Sequence, residues 1–277
     1  MSQQPHVTLR TTQALPALPD AMTTLTIAAA QTTSIAGDIQ ANIARHLRFM
    51  QTAADHGVQF LVFPELSLTG YERTLARALA IRPDDAVLHP LREFAQHSGM
   101  IAVVGIPVRA DNGAGVYIGA LVLQTNGEIG TYTKQHLHPG EEAAFVPGRG
   151  GQAVNVAGHQ AALAICAEIT QPDHARMAAQ AGAGIYAAGM LLTEAGHAPE
   201  TGLLAGYAAD HGMAVLMANH GGATGGWEAV GRSAIWAEGG RAVVAAPGPG
   251  NVLVKATREA GRWSGQVVPV PGALPAA

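Results

Sequence analysis

Between Thr24 and Ala218, short and largely apolar runs alternate with segments whose apolar residues recur every three or four positions. A chain written this way folds as strands with helices packed on their faces. Thr24–Ala30 reads as the first strand. Asp38 then caps a helix carrying Ile39, Ile43, Leu47, Met50 and Ala54 on one face, and Gly57 stops it. The apolar run Val58–Phe63 ends at Pro64-Glu65, and a helix from about Asp85 to His97 leads through Gly99 into a buried strand, Ile101–Ile106. The middle breaks this rhythm. Val116–Gln124 and Glu128–Lys134 read as two strands joined around Asn126-Gly127, a dipeptide suited to a type I′ turn, so the sheet is expected to be mixed. Pro172 opens a helix running to about Gln180 and ended by Gly182; Gly184–Ala188 is a strand, and a helix near Glu200–His211 precedes the strand Met213–Ala218. From Arg232 to Val268 short strands broken by Gly and Pro continue the sheet into a C-terminal extension.

A length of 277 residues fits one large α/β domain, and 48% hydrophobic against 13% charged residues supplies a core rather than a disordered chain. No internal repeat or interdomain linker interrupts residues 23–277, which are expected to form a single domain. Residues 1–22, polar and Pro-containing, read as a flexible N-terminal tail or an arm lying on a neighbouring subunit. A net charge of -4 without a Lys/Arg run leaves no electrostatic footprint for nucleic acid or an anionic membrane. One cysteine cannot close an internal disulfide, no run approaches the roughly 20 apolar residues of a membrane span, and the N-terminus lacks the basic start and apolar centre of a secretory signal. A cytoplasmic protein is the expectation. The 12 histidines are dispersed, and His136 and His138 lack further ligands for zinc, so no metal is expected. The run Gly221–Gly226 matches neither phosphate-binding fingerprint and reads as a turn or mobile loop near the site.

The chemistry centres on that single thiol. Free cysteine is most often a small buried hydrophobe. Cys166, however, stands where the apolar run Ala161–Ile165 gives way to polar residues and then a helix, the edge at which catalytic groups gather in open α/β sheets. Glu65 and Lys134 each close an earlier strand, where a solvated acid and an edge lysine would be the ordinary explanations.

Taken together, Phe63-Pro64-Glu65 with Gly70-Tyr71, Lys134-Gln135-His136-Leu137 with Glu141 and Phe145-Val146-Pro147-Gly148, and Ile165-Cys166-Ala167-Glu168 resemble the carbon-nitrogen hydrolase family, or nitrilase superfamily. Ala218-Asn219-His220-Gly221-Gly222 and Gly231-Arg232-Ser233 add later landmarks. The resemblance implies an α/β fold, a four-layer αββα sandwich with mixed sheets, and a Glu-Lys-Cys triad. Carried over, Glu65 is the general base, Cys166 the nucleophile, Lys134 the cation beside the oxyanion, and Glu141, rather than its neighbour Glu142, a second acid that positions substrate. Tyr71, Ala167, Met190 and Leu191 would surround the substrate. The implied reaction is hydrolysis of an amide to acid and ammonia through a cysteine thioester, with no cofactor, and the implied assembly is at least a homodimer.

Two departures shape the expectation. Ala167 replaces the bulky residue that often follows the nucleophile, which argues against a nitrile substrate, and the late helix carries Gly206-Tyr207-Ala208-Ala209-Asp210 without the family's usual arginine. Ala188–Leu192 contains no Arg or Lys to clamp a carboxylate, which favours a small neutral amide. A carbamoyl hydrolase, an acyl transferase and a catalytically silent binding protein are the competing readings.

Overall fold

The computed structural model describes residues 24–110, 113 and 115–272. The tail expected over 1–22 lies outside the described residues. Among the described residues, thirteen strands form two sheets. The first sheet contains β1 (Leu25–Gln31), β2 (Phe60–Val62), β3 (Ile101–Arg109), β4 (Val116–Leu123), β5 (Ile129–Thr133), β12 (Val252–Glu259) and β13 (Arg262–Pro269), in the order β13-β12-β1-β2-β3-β4-β5. The second contains β6 (Val154–Val156), β7 (His159–Ile165), β8 (Ile185–Met190), β9 (Ala214–Asn219), β10 (Ala234–Trp236) and β11 (Ala242–Ala245), in the order β11-β10-β9-β8-β7-β6. Each has three parallel strands at its centre, β1-β2-β3 and β7-β8-β9, flanked by antiparallel ones. Helices α1 (Ile39–Asp55), the short α2 (Ala76–Leu79) and α3 (His89–Ser98) cross between strands of the first sheet, α4 (Pro172–Gln180) and α5 (Glu194–His211) between those of the second.

Strand alternation builds the layers, because successive side chains point to opposite faces. In β1, Leu25, Ile27 and Ala29 join a core that also holds Leu163, Ile165, Ile185 and Leu216 of the other sheet, while Ala28 and Ala30 face Ile43, Phe49 and Met50 of α1. In β8, Ile185 and Ala187 look into the same inter-sheet core, while Tyr186, Ala188 and Met190 meet α4 and α5 through Ala175, Leu204 and Ala208. The result is the expected four-layer αββα sandwich.

Several boundaries moved for identifiable reasons. Asp38 caps α1 as expected, its carboxylate accepting from the Ala41 N–H at 3.0 Å. Hydrogen bonding from β2 to β3 ends with the Phe63 N–H, which donates to the Val103 carbonyl at 2.9 Å, since Pro64 has no N–H to donate. The β4-β5 turn is not type I′: Gly127 has φ +82 but Asn126 is not in the left-handed region. The Gly127 N–H bonds the Gln124 carbonyl at 3.0 Å and the Gln124 N–H bonds that of Glu128 at 3.0 Å, giving a three-residue loop that ends in a left-handed glycine. Helix α5 begins at Glu194, six residues earlier than expected, and carries Pro199 internally. Of the last two strands, β12 is internal to the first sheet, pairing with the whole length of β1, and β13 forms that sheet's edge.

Candidate active site

The parallel strands deliver their C-terminal ends to one crevice between the sheets, where ligands bind in open α/β folds. Glu65 follows β2, Lys134 follows β5, Cys166 follows β7, Leu191 follows β8 and His220 follows β9. Two sheets therefore contribute, and the backbones approach closely where they meet. A Cβ on Gly189 would stand 2.8 Å from the Phe63 carbonyl oxygen, and one on Gly105 would collide with the Pro64-Glu65-Leu66 backbone, so glycine at both places lets the Glu65 segment lie between β3 and β8.

Lys134, Glu65 and Glu141 form a buried ionic cluster. The Lys134 ammonium donates to Glu65 Oε1 at 2.7 Å and to Glu141 Oε1 at 2.8 Å, and all three side chains are fully buried. The Tyr71 hydroxyl donates to Glu141 Oε1 at 2.6 Å and the His138 N–H to Glu141 Oε2 at 2.7 Å. Glu142 is exposed and accepts from the Gly140 N–H, so Glu141 is the acid that meets the lysine. Two carboxylates share one cation here. Burial, reinforced by the Glu141 charge and opposed by Lys134, pushes the Glu65 carboxyl up to about 7. Burial works to discharge Lys134, but Glu65, the thiol and Glu141 outweigh it and hold the ammonium protonated more firmly than usual. Glu65 Oε2 has no partner among the described residues, although the Cys166 thiol is close enough to favour the ionised carboxyl by hydrogen bonding.

Cys166 begins a 3-10 turn, Cys166–Thr170, with φ +45, a left-handed conformation unusual for a residue bearing a Cβ. Glu168 holds that conformation. Its fully buried carboxylate accepts from the Ile165 N–H at 2.7 Å, the Gln135 N–H at 2.6 Å and the Tyr132 hydroxyl at 2.8 Å, tying the cysteine turn to the lysine segment. The Cys166 Sγ lies 3.7 Å from the Leu191 carbonyl, whose segment is fixed by Asn219 through the Leu192 N–H at 2.8 Å. Burial, then the Glu65 charge, raise the thiol well above its ordinary value, with Lys134 pulling the other way. His220, kept neutral by burial, donates through Nε2 to the Glu65 carbonyl at 2.7 Å.

The cluster opens into a cavity of about 490 Å³. Tyr71, Ala167 and Leu191 line it, as the sequence suggested, together with Leu192 and Trp227. Met190 does not. The alternation of β8 turns its side chain, fully buried, into the helix layer, so its expected place beside the substrate is corrected to a core position. The loop after β9 is anchored: the Tyr71 N–H donates to Thr224 Oγ1 at 2.8 Å and the Gly225 N–H to Glu72 Oε1 at 3.0 Å, which sets Trp227 in the wall. Glu168 and Glu200 escaped the sequence reading as site residues. An acid two positions after the strand-end thiol was a visible signal for the first, whereas nothing in the sequence singled out the second.

The carbon-nitrogen hydrolase family model matches residues 26–263. Among curated relatives, the chain is 28% identical over 171 residues to the glutamine-dependent NAD(+) synthetase of Thermotoga maritima, covering 60% of this chain and 29% of that protein. It is 31% identical over 151 residues to an (R)-stereoselective amidase of Pseudomonas sp., covering 54% of each. The chain thus spans about half the length of these relatives or less. Among solved structures it resembles an amidase of the nitrilase superfamily from Nesterenkonia AN1, with TM-score 0.76 and 27% identity over 83% of this chain and 90% of that one. Other structures of that amidase contain butyramide or a covalent adduct of fluoroacetamide's acetamide moiety at the active-site cysteine.

Proposed function

Because this chain belongs to the carbon-nitrogen hydrolase family, we propose that it is an amidase that converts a small amide, without a carboxylate of its own, to acid and ammonia through a thioester on Cys166. The observation that carries this reading is a thiol and a buried carboxylate lining one cavity, with a buried ammonium hydrogen-bonded to that carboxylate. Amide-bearing structures of the Nesterenkonia amidase support it.

Each group has a task suited to its surroundings. The thiol is protonated at rest, so it needs a base, and Glu65 is adjacent with an unoccupied oxygen. Moving the proton from Sγ to Glu65 shifts a negative charge within the buried cluster without adding one. Sulfur then bonds to the amide carbon, and the carbonyl electrons become an oxyanion. The Lys134 ammonium and the Ala167 N–H, at the start of a turn where N–H groups lack helical partners, stabilise it. Protonated Glu65 returns its proton to nitrogen, the C–N bond breaks and ammonia leaves. Glu65 next takes a proton from water, the resulting hydroxide attacks the thioester, and the thiol departs reprotonated. Glu141 acts as a positioning residue: it touches Lys134 and Tyr71 and fixes the ammonium.

Ammonia release from a panel of aliphatic and aromatic amides, carbamoyl compounds and nitriles tests this directly. Amides are expected to turn over and nitriles not. For the best amide, kcat/KM is expected to fall about tenfold per pH unit on an acid limb centred near 7, where Glu65 protonates. Release from nitriles or carbamoyl compounds alone, or a flat acid side, contradicts the assignment.

We also propose that the protein is at least a dimer. Met177, 61% exposed on α4, and Leu203, 37% exposed on α5, present apolar surface on the outer helix layer. Sedimentation equilibrium is expected to return a mass of two or more chains; a single-chain mass at micromolar concentration rules it out.

A further inference from the structure

Glu200 lies in the same catalytic cavity, on α5, and the roles above do not use it. It is half-buried and has no ion pair or hydrogen bond among the described residues. It leans back along the helix over Gly196: a Cβ there would come within 2.9 Å of Glu200 Oε1, so this glycine leaves the carboxylate room beside the cavity. The cavity walls carry no Arg or Lys side chain, and the one lysine of the site is already shared by Glu65 and Glu141. Burial moves the Glu200 carboxyl above its ordinary range, against the pull of His138 and Lys134, and its charge is felt at the Cys166 thiol. His138, on the same cavity wall, and Lys134 act on this acid without forming an ion pair with it, so the carboxylate has no direct cationic partner among the described residues. Trp227, 39% exposed and on the same cavity wall, offers an aromatic face of the kind that attracts ammonium groups.

We propose that Glu200 makes this cavity select amides whose tail carries a protonated amine, the carboxylate receiving the cation and Trp227 flanking it. This rests on the amidase reading and narrows it, replacing the neutral amide expected from sequence by a cationic one. The logic is that of a partly desolvated charge pair: the amine supplies the partner that the carboxylate lacks, whereas a methyl group in its place leaves the acid unpaired and a carboxylate is repelled.

The test is kcat/KM at pH 8, which keeps ordinary imidazoles out of the charge balance. The substrates are amino amides with two to five methylenes between amine and amide, each compared with the isostere in which methyl replaces ammonium. Wild type is expected to favour the amine about tenfold or more at one or more chain lengths, the equivalent of about 1.4 kcal/mol. Glu200→Gln is expected to level that ratio, and Glu200→Lys to invert it in favour of amides ending in a carboxylate. Using a ratio within each enzyme cancels any uniform effect of the substitution on the thiol. Equal or better turnover of the methyl isosteres by wild type at every length overturns the inference, as does a preference that survives in Glu200→Gln. Absence of ammonia from every amide in wild type would instead overturn the amidase reading, so the two failures are distinguishable.

Discussion

Cys166→Ala is expected to lower amide hydrolysis by a factor on the order of 10⁴ or more while leaving the fold in place. The chemical loss is complete because no other described group offers a nucleophile at that point, and a methyl group cannot form a thioester. The structural loss is small. Cys166 is only partly buried, its thiol meets the Leu191 carbonyl at a long 3.7 Å, and alanine keeps the Cβ that the left-handed backbone already accommodates. A stability change below about 1 kcal/mol follows from removing one sulfur at such a place. Ammonia release and a urea melt measure the two halves. Residual hydrolysis within tenfold of wild type would remove Cys166 from the chemistry, and a collapsed melt would make it a core residue instead.

Lys134→Met is expected to damage both activity and stability. Methionine fills a similar volume, so the dominant change is electrostatic: Glu65 and Glu141 lose their shared ammonium while remaining fully buried. Removing one member of a buried ion pair destabilises by about 3–5 kcal/mol. The sign of the pH dependence is fixed. Glu65 already binds its proton more tightly in the folded protein than an ordinary carboxyl does, and without Lys134 it binds it tighter still. A folded-state value raised in this way favours folding at low pH and loses that benefit as pH rises through it. The deficit of the variant in urea midpoint should therefore be larger at pH 8 than at pH 5.5. Equal deficits at the two pH values, or none, would mean that the lysine is not neutralising these carboxylates.

Much of this arrangement was legible in the sequence, and the places where reading stopped have physical causes. The βα rhythm marked the parallel centres of both sheets because their buried strands are continuous apolar runs bounded by Gly and Pro. It was silent on which sheet each strand joins, since β12 pairs with β1 across more than 200 residues of chain and β13 pairs in turn with β12. Cys166 stood out at its strand end, whereas Glu65 and Lys134, ordinary at theirs, were picked out by the resemblance of their segments to the carbon-nitrogen hydrolase family, and the structure brings those two within 2.7 Å of one another. Met190 was misplaced because a one-residue step along a strand reverses the face, and composition cannot reveal that phase. Glu200 was missed because its significance lies in the partners it lacks, a property of the folded cavity and not of the residues around it in the chain.

Gly189 gives the site a built-in spacer. The sulfur belongs to one sheet and Glu65, its proposed base, to the other, so their separation depends on how closely the sheets approach at this height, where peptide backbone rests on peptide backbone. A side chain at 189 would act like a shim driven between two plates. It would move thiol and carboxylate apart without altering either, and a displacement of about 1 Å in such a pair can cost roughly a hundredfold in rate. Rate in this molecule is thus tied to a dimension that no reacting side chain controls.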